Sequence, residues 1–265
     1  LHTMFTKRGL IVDQSGVIMV KVKNGHFNDH AISVPRNLFP GIVFAFHNKH
    51  AHPTKSQILR FIGRYYYCTG MADIIEKVTD SCLRCTSTKK LPKELLTDST
   101  SIPAGIGTDF SSDVLERQSQ CIFVTKDNLS HFAAAIIIPD QTTASLRQGI
   151  VQTTSPMISS QGAKVRVDAA PGFKSLAASQ EHDTVMKQLN LKIEIGDSLN
   201  RNKNPVGEAA IAEVKRELLA LAAPEAPIDQ ALLSLAVRNL NNRVRSDNKT
   251  AAERLFKRDT LTNNP

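Results

Sequence analysis

Long apolar runs are missing from this sequence. The longest, Phe132 to Ile138, falls far short of the roughly 18 residues that a membrane-spanning helix needs. No charged segment leads into an apolar stretch at the start, as a secretory signal would. These absences exclude a helical membrane span within the 265 residues. Because the first residue is Leu1 and not Met, the sequence reads as a piece of a longer translation product, with any targeting signal outside it. Cysteine is also scarce. Cys68, Cys82, Cys85 and Cys121 are too few and too unevenly spaced for a disulfide framework, which points to a reducing compartment. With 13 Gly and 12 Pro the chain is neither collagen-like nor of low complexity, and 41% hydrophobic residues exclude a wholly disordered one. What remains is a globular protein of about two domains.

Charge is unevenly divided. Residues 1 to 100 hold 14 Lys+Arg against 7 Asp+Glu, net +7, while residues 101 to 265 hold 19 against 18, net +1. A basic first part, with a sequence pI near 9.4, suits a polyanionic partner such as nucleic acid, and a solvated basic face accounts for it about equally well.

Residues 8 to 36 alternate short apolar runs with turn signals at Asp13-Gln14-Ser15-Gly16 and Lys23-Asn24-Gly25, the pattern of a small strand-rich unit. From Thr54 the period becomes helical, with Ile58, Phe61 and Ile62 and then Met71, Ile74, Ile75 and Val78 before Cys82. Residues 87 to 104 have no apolar period and read as a linker. Beyond it the pattern predicts a strand ending near Asp109, strands at 121–124 and 131–138, and a helix opened by Thr142-Thr143. A strand at 164–168, a helix from Phe173 to Asn190 and a strand at 191–195 follow. Helices from Val206 to about Ala222 and from Gln230 to Arg243 complete the series. The order βββαβαβαα implies a mixed sheet with helices on both faces.

Two constellations carry chemistry. His47 and His52 are separated by four residues, Cys82 and Cys85 by two, and 29 residues lie between the pairs. Two imidazoles and two thiolates suit tetrahedral zinc, and a closed ligand set makes it structural. His50 competes with His47 for the first place, but a single residue separates it from His52, an awkward spacing for two ligands. Cys68 and Cys121 sit among apolar residues and read as small buried hydrophobes.

The second set is Asp109, Asp168 and Glu208: two strand ends and a helix start. Three hard oxygen ligands on rigid elements suit Mg²⁺, although Asp at a strand end also serves turns and Glu in a first helical turn also answers the macrodipole. Glu213 and Glu217 lie about 140° and 180° around the helix from Glu208, whereas Lys215 returns to its side.

His47, His52, Cys82-Leu83-Arg84-Cys85 and the three carboxylates together resemble the integrases of retroviruses and LTR retrotransposons. Asn202-Lys203-Asn204-Pro205-Val206-Gly207-Glu208, Leu240-Asn241-Asn242-Arg243-Val244-Arg245 and the stretch from Thr250 to Asp259 are most similar to the BEL/Pao class. The resemblance implies a strand-rich extension over 1–40, a small α-helical zinc-binding domain over 41–90 and a linker over 91–104. An α/β RNase H-like core with a mixed five-stranded sheet over 105–260 and a tail over 261–265 complete the expected division. It also implies a polynucleotidyl transferase in which Asp109, Asp168 and Glu208 hold two Mg²⁺ or Mn²⁺ ions, for 3′-end cleavage of element DNA and its joining to target DNA. Structural Zn²⁺ on His47, His52, Cys82 and Cys85, phosphate contacts from Arg201, Lys203 and Lys215, a homo-oligomer and a nuclear site of action belong to the same expectation. The sequence departs from the family at Ala169, where many relatives carry Asn, and ends at Pro265 without the usual small C-terminal barrel. A catalytically inactive or host-adopted integrase relic that binds DNA or a partner is the alternative.

Overall fold

The computed structural model describes residues 9–22, 30–50, 52–88, 103–196, 204–224 and 226–259. Contacts divide the chain into two units. The first contains the described residues up to 88 with Arg243–Thr250 and 258–259, and the second contains 103–242 with 251–257. Among the described residues no helix is long and apolar enough to cross a membrane.

In the first unit, β1 (Leu10–Val12), β2 (Ile18–Lys21) and β3 (His30–Ser33) form an antiparallel meander, and β4 (Tyr66–Tyr67) adds to β3 in parallel. Four helices follow the meander in the chain: α1 (Phe39–Lys49), α2 (Lys55–Ile62), α3 (Met71–Asp80) and α4 (Leu83–Thr88). The sequence pattern missed α1. Its signals were local, with Pro40 at the first turn and apolar residues Phe39 and Val43 at helical spacing. A capping box sets the start of α2: Thr54 accepts from the Gln57 amide and Gln57 Oε1 accepts from the Thr54 amide. Phe39, Val43, Ile58, Ile62, Cys68, Ile74 and Ile75 make the core, so Cys68 is the buried hydrophobe expected of it. The Arg243–Thr250 segment is held by hydrogen bonds from Arg60 to the Arg245 carbonyl (3.0 Å) and from Arg64 to the Asn248 carbonyl. Tyr65 Oη donates to Asp259 at 2.7 Å.

The second unit is a mixed sheet ordered β7-β6-β5-β8-β9. Its strands are β5 (Asp109–Arg117), β6 (Gln120–Asp127), β7 (Ala133–Ile138), β8 (Ala163–Val167) and β9 (Leu191–Ile195). Its helices are α5 (Thr143–Thr154), α6 (Pro171–Ser179), α7 (Thr184–Gln188), α8 (Pro205–Leu221), α9 (Gln230–Asn241) and α10 (Ala251–Phe256). The expected order βββαβαβαα is found with its second helix split into α6 and α7 and with α10 added at the end. One face packs Phe110, Phe123, Val165 and Val167 with α5, α6 and α7 through Leu146, Ile150, Phe173, Leu176 and Met186. The other packs Leu115, Ile122 and Val124 with α8 and α9 through Ala210, Val214, Leu218, Leu233 and Ala236.

Two expectations are corrected. The single helix from Phe173 to Asn190 is interrupted: α6 stops at Ser179, and Asp183 caps α7 by accepting from the Val185 and Met186 amides. The strand expected to end near Asp109 begins there and runs to Arg117. Ser111 and Ser112, beyond the expected end of the strand, are both buried. Ser112 Oγ pairs with Thr125 Oγ1 at 2.8 Å, and Thr125 pairs with Thr153 at 2.7 Å, so the hydroxyls are satisfied inside the fold.

Candidate functional site

The metal cluster of the first unit is assembled by helix ends. His47 lies in the last turn of α1 and is 1% exposed. His52 follows in a left-handed conformation, φ 56°, with its amide donating to the His47 carbonyl, and the chain then turns through Pro53 into the Thr54 cap. Cys82 follows the end of α3 and Cys85 sits on α4. One ligand atom from each of the four falls within 4.8 Å of all the others. His52 Nδ1 and His47 Nε2 are 3.0 Å apart, and each stands 3.3 Å from one sulfur, Cys82 and Cys85 respectively. Ligands about 2.0–2.3 Å from a tetrahedral zinc would be separated by about 3.3–3.8 Å, so the donor set and the geometry fit zinc. Burial, with the neighbouring His52, holds the His47 imidazole below its usual pKa. Burial and then the Arg84 charge do the same for His52, which favours the neutral ligating forms. His50 stacks on the Phe46 ring at 4.2 Å and lies outside the cluster.

The carboxylates of the second unit are arranged differently from the expected triad. In the parallel β5–β8 pair Asp109 stands opposite Lys164 and Ser111 opposite Arg166. The pairing ends there; continued by two residues it leads toward Asp113 and Asp168, the residue after β8, and the Asp168 charge does bear on Asp113. Asp109 lies four residues back, about 13 Å along the sheet at about 3.3 Å per residue. Its Oδ2 accepts from Thr108 Oγ1 at 2.6 Å. Asp113 shares its strand face with Leu115, which packs under α8 and α9, and Glu208 lies in the first turn of α8. Burial pushes the Asp113 carboxyl above the ordinary range, and the negative charges of Asp168 and Glu208 push it further, against a lowering hydrogen bond from the Val114 amide. Asp168 accepts from the Ala170 amide at 3.3 Å, in the turn that contains Ala169.

Asp113, which the sequence reading did not name, is the carboxylate on which the charges of Asp168 and Glu208 bear. Counting along β5 would have offered it, since residues i and i+4 of a strand share a face, but no local pattern separates it from Asp109. Glu213 forms a 2.7 Å ion pair with the buried Lys126, and Glu217 is fully buried, so neither shares Glu208's exposed position. Lys215 is exposed on α8. Arg201 and Lys203 lie outside the described residues.

Residues 34–91 match the family model described as the integrase zinc binding domain. The catalytic core domain of BIV integrase is a similar solved structure, 22% identical, covering 57% of this chain and 95% of that one with a TM-score of 0.46. No curated protein matches the chain.

Proposed function

We propose that this chain is a retroelement integrase, a metal-dependent polynucleotidyl transferase whose site is Asp113, Asp168 and Glu208, with Asp113 in the place the sequence reading assigned to Asp109. The observation that carries this reading is that the charges of Asp168, just past the end of β8, and of Glu208, in the first turn of α8, both bear on the half-buried Asp113 of β5. A carboxylate whose proton affinity is raised by two neighbouring carboxylates belongs to a site that a divalent cation relieves. The integrase-type zinc module over residues 34–91 supports the same reading.

Asp113, Asp168 and Glu208 would hold two Mg²⁺ or Mn²⁺ ions, which when bound neutralise charge on a phosphodiester and activate the attacking oxygen. The chain's own contribution is positioning. Asp113 projects from the central strand, with its Oδ1 oriented by the Val114 amide, and Asp168 is oriented by the Ala170 amide. Lys215, seven residues beyond Glu208, lies on the same side of α8 and would contact the DNA backbone, as would Arg201 and Lys203. Water would cleave near the 3′ end of element DNA, and the freed 3′-hydroxyl would then attack a target phosphodiester at phosphorus, forming the new P–O bond as the target's own 3′-oxygen leaves. Two DNA ends joined in concert call for a homo-oligomer, and target chromosomal DNA places the work in the nucleus.

The test is incubation of zinc-loaded protein with labelled duplex DNA and Mg²⁺ or Mn²⁺. Wild type and Asp109→Asn are expected to yield 3′-cleaved and joined products, and Asp113→Asn and Glu208→Gln none. Activity lost in Asp109→Asn and kept in Asp113→Asn would restore the first assignment. DNA binding without products in any protein would favour the inactive relic.

A further inference from the structure

Asn204 is polar, 2% exposed and bonded at both ends of its amide. Its Oδ1 accepts from the Gly207 amide at 3.2 Å, capping α8, and its Nδ2 donates to the Ser112 carbonyl at 2.8 Å. The last paired residues between β5 and β8 are Ser111 and Arg166. The Ser112 carbonyl is the next along β5, and Asn204 supplies it with a donor just past the last rung of the ladder. Ser112 immediately precedes Asp113, and Gly207 immediately precedes Glu208. One side-chain amide thus ties together the backbone beside two of the three carboxylates. The tie is close: a Cβ on Gly207 would meet Asn204 Nδ2 at 2.3 Å and Oδ1 at 2.9 Å, so the contact requires glycine there. A second anchor holds α8 beyond Glu208, where Glu213 pairs with Lys126 of β6.

We infer that Asn204 is a positioning residue that sets the spacing of Glu208 from Asp113, and so the metal affinity of the carboxylate site. The inference rests on the reading of those carboxylates as metal ligands. Asn204 does two jobs that no other common capping residue does together. Asp would cap α8 but could not donate to the Ser112 carbonyl, and Ser is too short to span both partners.

The test compares Asn204→Leu, close in volume but unable to make either bond, with Asp229→Ala. The latter removes the cap of α9, where Asp229 accepts from the Leu232 amide at 2.7 Å. Mn²⁺ binding to zinc-loaded full chain is followed by electron paramagnetic resonance, with Asp113→Asn defining the signal of the carboxylate site. Thermal midpoints and DNA affinity are measured beside it. Asn204→Leu is expected to weaken Mn²⁺ binding about tenfold and to lower single-turnover cleavage at fixed metal by at least as much. Excess Mn²⁺ is expected to recover part of that cleavage, and DNA affinity to change less than twofold. Asp229→Ala is expected to lower the midpoint while leaving Mn²⁺ binding unchanged. Mn²⁺ binding unaltered by Asn204→Leu, or weakened equally by Asp229→Ala, would overturn the positioning role. Mn²⁺ binding by wild type without any DNA cleavage would overturn the proposed function and leave the positioning role to be judged on the metal data alone. A wild type that binds no Mn²⁺ at the Asp113 site would overturn both.

Discussion

Removing zinc should unfold the first unit and leave the second folded. The core of that unit contains seven buried residues, and His52 sits in a left-handed backbone conformation that costs on the order of 1–3 kcal/mol unless something holds it. A structural zinc contributes about 10–16 kcal/mol of folding free energy near neutral pH. A whole domain has only about 5–15 kcal/mol to lose, so loss of the ion exceeds the stability available. Tyrosine provides a selective probe. The chain has no Trp and three Tyr, namely Tyr65, Tyr66 and Tyr67, all in this unit. The Tyr65 phenol is held well above its ordinary pKa by burial and by its hydrogen bond to Asp259. Chelation, or Cys82→Ser, should shift tyrosine emission toward that of the unfolded chain and return the Tyr65 phenol to its ordinary range, about pH 10. Only part of the helical circular dichroism should be lost, and a separate cooperative thermal transition should persist. Because the thiols and imidazoles must be deprotonated to bind, the metal should be released as pH falls. Verified zinc removal without change in tyrosine emission or phenol titration would refute the reasoning.

Other expectations follow from single contacts. Asp113→Asn should raise the thermal midpoint while abolishing activity, because the folded-state pKa of Asp113 is raised. The ionised group opposes folding at neutral pH, with that cost appearing as pH rises through the ordinary carboxylate range toward the raised pKa; a lowered midpoint would contradict this. Asp183, paired with Arg147 and capping α7, has a pKa lowered to about 2 from 3.8. Its contribution is present above pH 4 and should fade as pH drops from about 4 toward 2, and Asp183→Ala should cost about 1–2 kcal/mol by denaturant unfolding at neutral pH. Gly149→Ala would set a Cβ 2.6 Å from the Phe123 ring and should cost about 1–3 kcal/mol in the same assay. Lys215→Ala should weaken DNA binding across sequences and reduce the salt slope by about 1, and an unchanged slope would remove it from the interface.

Sequence alone determined what depends on residue type and short-range spacing. The chemistry of the zinc donors is intrinsic to His47, His52, Cys82 and Cys85, and their short gaps suit helix ends. The order of strands and helices in the second unit follows from apolar periodicity, since β-branched runs such as Ala133–Ile138 and the 3.6-residue period of α8 report on their own neighbourhoods. Where polar side chains are satisfied inside the fold, that signal disappears. Ser111 and Ser112 concealed the extent of β5, and Asp183 concealed the break between α6 and α7. Only the tertiary structure shows that Asp113, four residues beyond Asp109, feels the charges of Asp168 and Glu208. Asp109 and Asp113 share a strand face, so a period of two cannot distinguish them. The distinction belongs to the register of β8 against β5, more than 50 residues away in sequence, and that register is set by packing across the sheet.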